Sequence, residues 1–249
     1  MSKLSAVKPF DWLTPDWPAP KNVRACVTTA TGGNSVAPFA HFNLGAHVGD
    51  SFDDVQRNRK YLATALGCQP TWLSQVHSDL VVTADATQVL TADASVSQET
   101  GLACCIMSAD CLPVLFTDQA GTCVAAAHAG WRSLVAGVLE NTVASMQVAP
   151  QRVMAWLGPA IGVGAFEVGS EVRDAFMLQH SSAEQAFVPS KNPGRWMADI
   201  YHLARIRLAA CGVDAVYGGG FCTVTDPRFY SYRRQPVTGR FASLVWIAE

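Results

Sequence analysis

The segment from Gly101 to Asp118, which reads GLACCIMSADCLPVLFTD, constrains the fold more than any other part of this chain. It is a dense apolar run with a break at 108–110, where the residues are Ser, Ala and Asp. Continuous apolar runs of this length are typical of strands that are buried on both faces. We therefore predict two buried strand segments that meet at a bend.

The sequence after this run predicts a mixture of strands and helices. Apolar residues at three- and four-residue steps indicate helices, serine is a common N-cap, and glycine commonly follows a helix end. The predicted elements are a strand at 122–127, one amphipathic helix from about Trp131 to Met146, a strand at 152–157, a helix at 170–179 with Ser170 as N-cap, a helix at 198–211 ended by Gly212, and a last strand at 240–247. Because this order lacks a strict βαβ rhythm, we predict a layered α/β (α+β) protein with a mixed sheet or two stacked sheets.

The chain is predicted to form a single domain over residues 1–249, with 1–21 as a loosely attached N-terminal segment. No linker, repeat or low-complexity tract interrupts the apolar pattern. The composition is 49% hydrophobic and 15% charged, which predicts a large buried core. A monomer or a weak homodimer is expected.

Charge and cysteine usage limit the classes of partner and the compartment. The formal net charge is −2 and no basic cluster is longer than two residues, so nucleic acid and anionic membranes are not expected partners. The N-terminus lacks the apolar stretch of a signal peptide, and no uncharged apolar run could span a bilayer. Eight cysteines without an export signal are expected to be reduced thiols. A cytoplasmic protein that acts on a small molecule is the prediction.

Three segments place reactive side chains at the ends of buried strands: SQVHS (74–78), SADCLP (108–113) and AAHAGWRS (126–133). Two imidazoles and one thiolate, from His77, Cys111 and His128, suit Zn²⁺ or Cu²⁺ and leave a fourth position open. Their spacing matches no compact metal motif. The alternative therefore stays open that Cys111 is a small buried hydrophobe and that both histidines are satisfied core or turn residues.

Several blocks of the sequence resemble one known family. The matching blocks are HFNLGAHVGD (41–50), QVHS (75–78), SADCLPVLF (108–116), AAHAGWRSLVAGV (126–138), LGPAIG (157–162), FEVG (166–169), FYSYRR (229–234) and VTGR (237–240). Together they are similar to the YfiH-like family of laccase-domain or polyphenol oxidoreductase proteins, which are also described as purine nucleoside phosphorylases. The blocks extend from about residue 22 to the C-terminus. The chain departs from the family pattern at Ser170, where an acidic residue is expected.

The resemblance implies an architecture, a ligand set and an activity. The fold would be a layered αββα sandwich with mixed sheets, and His77, Cys111 and His128 would bind the metal. The implied reactions are phosphorolysis of adenosine, inosine and methylthioadenosine to the free base and a ribose 1-phosphate, and metal-assisted deamination of adenosine. A purine nucleoside and phosphate would then be the small-molecule partners.

These reactions require further side chains beside the metal ligands. A carboxylate must move protons, and Asp110 is the first candidate because it adjoins Cys111; Glu167 is the second. Arg132, at a predicted helix start, is a candidate for holding phosphate. Three further residues are candidates for contacting the base or the ribose: Asn43, His47 and Gln75. Arg59 and residues 232–234 could line the cleft, but a surface or packing role is favoured for them. Asn43 could instead shape a turn with Gly45, and Arg132 could be solvated.

Three rival functions use the same residues. A multicopper laccase needs a His₂Cys copper and a separate trinuclear cluster, and six histidines without an H-x-H pair are too few. A cysteine-dependent amide hydrolase, which would edit peptidoglycan precursors, would use Cys111 as nucleophile and His128 as base. A protein that only sequesters copper or binds a partner is the third rival.

Overall fold

The computed structural model describes residues 9–249, which form strands of two to seven residues, helices and the connections between them. The sixteen strands are Trp12–Leu13 (β1), Val23–Thr28 (β2), Gln69–Thr71 (β3), Leu73–Ser74 (β4), Val81–Thr83 (β5), Leu90–Thr91 (β6), Ala94–Ser97 (β7), Leu102–Ser108 (β8), Leu112–Asp118 (β9), Val124–Ala129 (β10), Val153–Leu157 (β11), Glu167–Gly169 (β12), Phe187–Pro189 (β13), Arg195–Ala198 (β14), Ala215–Gly218 (β15) and Phe241–Ile247 (β16). The predicted bend at 108–110 is confirmed, because β8 ends at Ser108 and β9 begins at Leu112.

Two large mixed sheets form the centre of the protein. One has the strand order β1-β2-β16-β8-β3 and the other has the order β15-β11-β9-β10-β7-β5. In the first sheet β3 is parallel to β8, and in the second β15 is parallel to β11, while most other pairs are antiparallel. Strands β8 and β16 contact β10 across the interface, so the two sheets are stacked. The bend after β8 therefore carries the chain from one sheet to the other.

Side-chain alternation explains why the strands of both sheets are apolar along their whole length. Val114 and Phe116 of β9 face a cluster of helices, whereas Leu115 faces the other sheet. In β16, Leu244 is buried in a cluster on the outer face of the first sheet, and Val245 faces the interface between the two sheets. Successive residues of a strand point to opposite faces, so a continuous apolar strand requires cover on both sides. The layered αββα arrangement predicted from the sequence is confirmed.

Within residues 9–249, five α-helices cover the outer faces of the sheets. They are Phe52–Leu66 (α1), Trp131–Ala136 (α2), Val138–Ser145 (α3), Ser170–Gln179 (α4) and Ile200–Ala210 (α5), with 3₁₀ turns at Pro150–Arg152 and Ser181–Ala186. The prediction of one continuous helix from Trp131 to Met146 was wrong. Gly137 has a φ of 104° and separates α2 from α3. This left-handed conformation is open to glycine and interrupts the helical hydrogen bonds.

Two further helix boundaries differ from the sequence prediction. Ser170 is the first residue of α4 and not its N-cap, which is Gly169. The Ser170 hydroxyl instead accepts a hydrogen bond from the Trp196 indole N–H at 3.3 Å. Helix α5 begins at Ile200 because the Asp199 carboxylate accepts a hydrogen bond from the His202 N–H at 3.0 Å. An aspartate cap satisfies one of the free N–H groups at the helix start.

The N-terminal segment, predicted at 1–21 as loosely attached, lies partly outside the described residues. Its described part begins at residue 9 and adds β1 to the edge of the first sheet. Phe10 is buried and stacks on Phe42, with ring centroids 4.6 Å apart. Phe10 and β1 therefore join this part of the segment to the first sheet and to Phe42. Within residues 9–249, none of the helices has the length and apolar character needed to cross a bilayer.

A buried aspartate closes the turn between β9 and β10. The Asp118 carboxylate accepts hydrogen bonds from the backbone N–H groups of Ala120, Thr122 and Cys123 and from the Thr122 hydroxyl. Burial acts to raise the pKa of Asp118, but these hydrogen bonds lower it further than burial raises it. This turn lies at the opposite end of β9 from the bend at 108–110, far from the end of the hairpin where His128 lies opposite Pro113.

Candidate metal centre and its cavity

His77, Cys111 and His128 converge at one edge of the second sheet. Cys111 directly precedes β9, and Asp110 before it has a φ of 98°, which is unusual for a residue other than glycine. His128 is near the end of β10, adjacent to β9. His77 lies in a turn after β4 and has a φ of 61°. The hairpin of β9 and β10 thus supplies two of the three side chains, and a left-handed turn supplies the third.

The three side chains are close enough to share one ion. One donor atom from each residue lies within 4.8 Å of the other two. Cys111 Sγ is 3.7 Å from His77 Nε2, and the two imidazole ring centroids are 4.8 Å apart. Two nitrogen donors and one sulfur donor on one side of an open cavity match the three-ligand pattern of catalytic Zn²⁺ sites. The donor set therefore fits the predicted metal.

A buried carboxylate that the sequence analysis missed fixes the orientation of His128. Asp93 Oδ1 accepts a hydrogen bond from His128 Nδ1 at 2.8 Å, and Asp93 is completely buried. A histidine that donates through Nδ1 keeps its Nε2 lone pair for a ligand. No motif of the sequence marks Asp93, which lies in a short connection between β6 and β7.

Cys111 and His128 change each other's protonation. Burial would raise the pKa of the Cys111 thiol, but the charge of His128 and hydrogen bonds from both histidines lower it below the ordinary value. Burial would lower the pKa of His128, but the Cys111 thiolate and Asp93 raise it above the ordinary value. The thiolate form of Cys111 is therefore favoured near neutral pH. A thiolate is the form that binds metals and attacks electrophiles.

The three side chains line a cavity of about 590 Å³. This volume lies within the usual range of small-molecule sites, about 300–1,000 Å³. Most of its other lining residues belong to an apolar group (Met107, Trp131, Ile161, Phe166, Val168, Val172 and Ile200), a basic group (Arg132, Arg195, Arg233 and Arg240) and an acidic group (Asp110, Glu167 and Glu171). Within residues 9–249, no carboxylate lies within 4.0 Å of a guanidinium nitrogen of these four arginines. Such a cavity can take an anionic or phosphate-bearing ligand beside an apolar group.

Comparisons with known proteins agree with the fold described above. Residues 24–248 match the model of the family described as multi-copper polyphenol oxidoreductase laccase. This chain belongs to that family. The chain is 64% identical to a purine nucleoside phosphorylase of Pseudomonas aeruginosa over 96% of this chain and 99% of the relative. It is 51% identical to the purine nucleoside phosphorylase YfiH of Escherichia coli, over 94% of this chain and 98% of the relative.

A solved structure with half of its residues identical to this chain has the same fold. The crystal structure of a Neisseria meningitidis protein superposes with a TM-score of 0.93 at 50% identity and covers 96% of this chain and 99% of that chain. The predicted resemblance to the YfiH-like family is confirmed. Among residues 9–249, His77, Cys111 and His128 are the single group of three or more suitable ligands, so a trinuclear copper cluster has no second donor group there.

Asn43, predicted to contact substrate, does not line the cavity of this family member. It is completely buried, and its side-chain oxygen accepts hydrogen bonds from the N–H groups of Gly45 and Arg240. Its amide donates to the Asp50 carboxylate at 2.9 Å. The prediction of a substrate contact is therefore corrected: the alternative weighed from the sequence, a turn shaped by Asn43 and Gly45, describes what the side chain does.

His47, Gln75 and Arg132, also predicted to contact substrate, do line the cavity. The Gln75 side chain is already paired with Met107, because its Nε2 donates to the Met107 carbonyl and its Oε1 accepts from the Met107 N–H. Arg132 is exposed and lies over the Trp131 ring, 4.4 Å from its centroid. Gln75 thus supports the cavity wall, whereas His47 and Arg132 have side chains available to a ligand.

Asp110, predicted to transfer protons, adjoins the cavity and is almost completely buried. Its Oδ1 accepts from the Thr223 hydroxyl at 2.6 Å, and its Oδ2 accepts from the Arg233 N–H at 2.7 Å. Each carboxylate oxygen can accept about two hydrogen bonds, so each keeps one free lone pair. Glu167 also lines the cavity, where its Oε1 accepts from the Asn192 amide at 2.8 Å and from the Ser190 hydroxyl.

The residues for which packing roles were favoured divide into two groups. Arg59 donates to the Leu44 carbonyl at 2.9 Å and lies over Trp72, so its packing role is confirmed. Arg234 is likewise held by backbone carbonyls, with the Thr223 oxygen at 2.7 Å. Tyr232 and Arg233 instead line the cavity. Arg240, which the sequence analysis did not select, lines it as well.

Proposed function

We propose that this chain is a purine nucleoside phosphorylase that transfers the ribosyl group of a nucleoside to inorganic phosphate. The names of the curated relatives from Pseudomonas aeruginosa and Escherichia coli support this reading. The observation that carries it is the shared cavity, in which arginines without carboxylate partners and an apolar wall lie beside two imidazoles and a thiol. Phosphorolysis needs a site of this composition, because it brings a phosphate anion together with a flat, largely apolar base.

Zn²⁺ or Cu²⁺ is the proposed cofactor, held by His77, Cys111 and His128. Such an ion would act as a Lewis acid that polarises an oxygen of the substrate or of water. Asp93 keeps the His128 ring turned so that Nε2 faces the other two donors. The low pKa of Cys111 keeps its sulfur in the form that binds a metal near neutral pH.

The proposed phosphate subsite contains Arg240 and His47. Arg240 is partly buried, and its Nη1 donates to the carbonyl oxygens of Thr238 and Gly239, which fixes the guanidinium plane. Burial lowers the pKa of Arg240, and the charges of Cys111 and Asp110 offset part of this effect. Burial also lowers the pKa of His47, and the charge of Arg240 lowers it further. A fixed guanidinium beside the donor triad of His77, Cys111 and His128 can bind two oxygens of a phosphate more strongly than the exposed Arg132 can.

We expect Arg240→Met to weaken phosphate use selectively. Loss of a charge-assisted hydrogen bond of about 1.5–3 kcal/mol should raise the KM for phosphate about 10- to 100-fold, with a smaller change in the KM for inosine. Initial rates of hypoxanthine release at varied phosphate measure both constants. Arg57→Met is the matched control, because Arg57 is exposed on α1 and pairs with Asp54 away from the cavity. Equal increases in both KM values would contradict the assignment of Arg240 to phosphate.

The apolar wall is the proposed binding surface for the purine. Phe166, Val168 and Val172 line the cavity from β12, α4 and the loop before them. A flat heteroaromatic base gains from burial against such side chains. Adenosine and methylthioadenosine both carry adenine, and inosine carries hypoxanthine, which differs from adenine at the purine 6-position. A largely apolar wall can accept both bases.

Adenosine deamination is the second reaction that we propose for this site. It requires a carboxylate that can take a proton from water and return it to the purine ring. Asp110 is the first candidate, because it lines the cavity next to Cys111 and each of its carboxylate oxygens keeps a free lone pair. Glu167 is the second candidate; hydrogen bonds from Ser190 and Asn192 lower its pKa and hold it ionised.

Incubation of metal-analysed protein with inosine and with adenosine, with and without phosphate, tests the proposed function. Separation of bases and nucleosides should show hypoxanthine or adenine that forms in the presence of phosphate and not in its absence. Inosine that forms from adenosine in both conditions would establish the deaminase reaction. If phosphate-dependent base release is absent from protein that carries bound metal, the phosphorylase proposal fails.

A cysteine hydrolase is the second candidate, and one specific observation favours it. Cys111, His128 and Asp93 lie in series: Asp93 orients the His128 ring through a hydrogen bond, and His128 lowers the pKa of the Cys111 thiol. This is the arrangement of a nucleophile, a base and an orienting carboxylate in cysteine hydrolases of amides. Cys111 and His128 are metal ligands in the first proposal, so the metal content and activity of a Cys111→Ser variant separate the two proposals.

The cytoplasm is the proposed compartment for either reaction. All eight cysteines are free thiols in the structure, and six of them have a pKa that burial raises. Free thiols in this number are typical of proteins that work in a reducing environment. Phosphate and purine nucleosides are both available to a protein in that compartment.

A further inference from the structure

The Asp93 carboxylate accepts hydrogen bonds from two separate parts of the metal centre. Its Oδ1 accepts from the His77 N–H at 3.0 Å and from His128 Nδ1 at 2.8 Å. Its Oδ2 accepts from the Val76 N–H at 3.1 Å, from the Ser78 N–H at 2.6 Å and from the Ser78 hydroxyl at 2.8 Å. A carboxylate has about four lone-pair positions, so five donors leave none for a substrate. Asp93 is therefore unsuited to act as an acid or base.

His128 is held by Asp93 at both its ring and its backbone. In addition to the ring contact, the His128 N–H donates to the Asp93 carbonyl at 2.7 Å. This bond continues the ladder between β10 and β7, in which Ala127 lies opposite Ala94. The two contacts fix the position of the main chain and the rotation of the imidazole at the same time. The Nε2 atom is the nitrogen that remains for a ligand.

His77 is held through the main chain around it. Its φ of 61° lies in the left-handed region, which is disfavoured for a residue with a Cβ atom. Three consecutive N–H groups, from Val76, His77 and Ser78, converge on the Asp93 carboxylate. A turn that folds its N–H groups around an anion in this way is stabilised by the charge of that anion. The direction of the His77 side chain consequently depends on Asp93.

We propose that Asp93 is a positioning residue that orients both histidines of the metal centre, so that one buried carboxylate sets the geometry of two of the three ligands. The inference rests on the metal centre proposed above and deepens it. Side chains that orient a metal ligand in this way contribute to affinity without contacting the ion. Asp93 does so for His128 by a direct hydrogen bond and for His77 by shaping its turn.

Asp93→Asn tests this role with little change in size. The asparagine amide lacks the negative charge, and its NH₂ group replaces one of the two acceptor oxygens, so a donor faces either the N–H groups at Oδ2 or the His77 N–H and His128 Nδ1 at Oδ1. We expect the dissociation constant for Zn²⁺ to rise about 10- to 100-fold, measured by competition with a chromophoric chelator. In the Co²⁺-loaded variant the thiolate charge-transfer band should persist while the ligand-field bands change, since Cys111 stays in place and the histidines move.

Asp118→Asn is the matched control. Asp118 is also a buried aspartate whose carboxylate accepts three backbone N–H groups and a hydroxyl, but it closes the turn at the far end of β9. It should lose thermal stability and keep a Zn²⁺ dissociation constant within about twofold of the wild type, because no ligand contacts it. A control that loses Zn²⁺ as strongly as Asp93→Asn would overturn the positioning role, since general destabilisation would then explain both.

Ser78→Ala provides a second test if Asp93→Asn does not fold. It removes one of the five hydrogen bonds to the carboxylate and should raise the Zn²⁺ dissociation constant about 2- to 10-fold. If Asp93→Asn, or Ser78→Ala in its place, folds and binds Zn²⁺ as tightly as the wild type, the positioning role is contradicted and the metal centre is not. A wild-type protein that binds no Zn²⁺ contradicts the metal centre itself, so the two failures are distinguishable.

Discussion

Cys111→Ser is expected to lose Zn²⁺ and nucleoside phosphorolysis together, with kcat/KM for inosine reduced about 1,000-fold or more. A serine hydroxyl remains protonated at neutral pH, whereas the Cys111 pKa is lowered so that its thiolate is available. A bound metal contributes several kcal/mol to charge stabilisation, and each 1.36 kcal/mol corresponds to a tenfold change in rate. Metal analysis of the purified variant and initial rates of hypoxanthine release measure the two effects.

The same variant separates the two candidate functions. In the cysteine hydrolase alternative, Cys111→Ser would abolish amide hydrolysis while the protein kept its metal content. Cys222→Ser is the control, because Cys222 is a second partly exposed thiol with a lowered pKa that does not line the cavity. It should retain Zn²⁺ and full activity. Phosphorolysis that survives in Cys111→Ser at near wild-type rate would remove Cys111 from the proposed reaction.

The strands around the site could be predicted because their burial is encoded in their sequence. β8 and β9 are apolar along their length, since each face of each strand meets another layer. The break between α2 and α3 could not be read in the same way. The apolar spacing from Leu134 to Val143 continues through Gly137, and the left-handed φ at that glycine depends on how both helices pack.

Recognition of the donor triad depended on resemblance, because 34 and 17 residues separate its members and no local motif joins them. Asp93 was missed for a related reason. Its five hydrogen bonds come from residues 76–78 and 128, which approach it only after the second sheet has formed. Asn43 was misassigned, since an amide that shapes a turn and an amide that contacts a ligand look alike in sequence.

Arg240 shows a further limit of the sequence pattern. It directly precedes β16, so it resembles an ordinary charged residue at a strand end. Its place in the cavity depends on the pairing of β16 with β8, which brings the start of β16 beside the bend that carries Cys111. Long-range strand pairing of this kind leaves no periodic signal in the chain. The donor triad and its charged neighbour are therefore products of the same sheet topology.

Gly130→Ala is expected to disrupt the metal centre while the fold is retained. A Cβ atom at residue 130 would lie 2.9 Å from His77 Cδ2 and 3.0 Å from Cys111 Sγ, closer than van der Waals contact allows. Gly130 has a φ of −58°, which alanine adopts without strain, so the effect should come from this contact alone. Displacement of reacting groups by about 1 Å can cost about 100-fold in rate. We expect kcat/KM for inosine to fall by about that factor or more, with weaker Zn²⁺ binding.

Gly164→Ala is the matched control for this prediction. A Cβ atom there meets no other atom within 4 Å, and the variant should match the wild type in Zn²⁺ affinity, rate and melting temperature. A Gly130→Ala protein that also matches the wild type in all three would mean that His77 and Cys111 can retreat without loss of the site. In the structure Gly130 makes room for the His77 ring and the Cys111 sulfur, which is why the smallest added side chain should act on metal binding before it acts on folding.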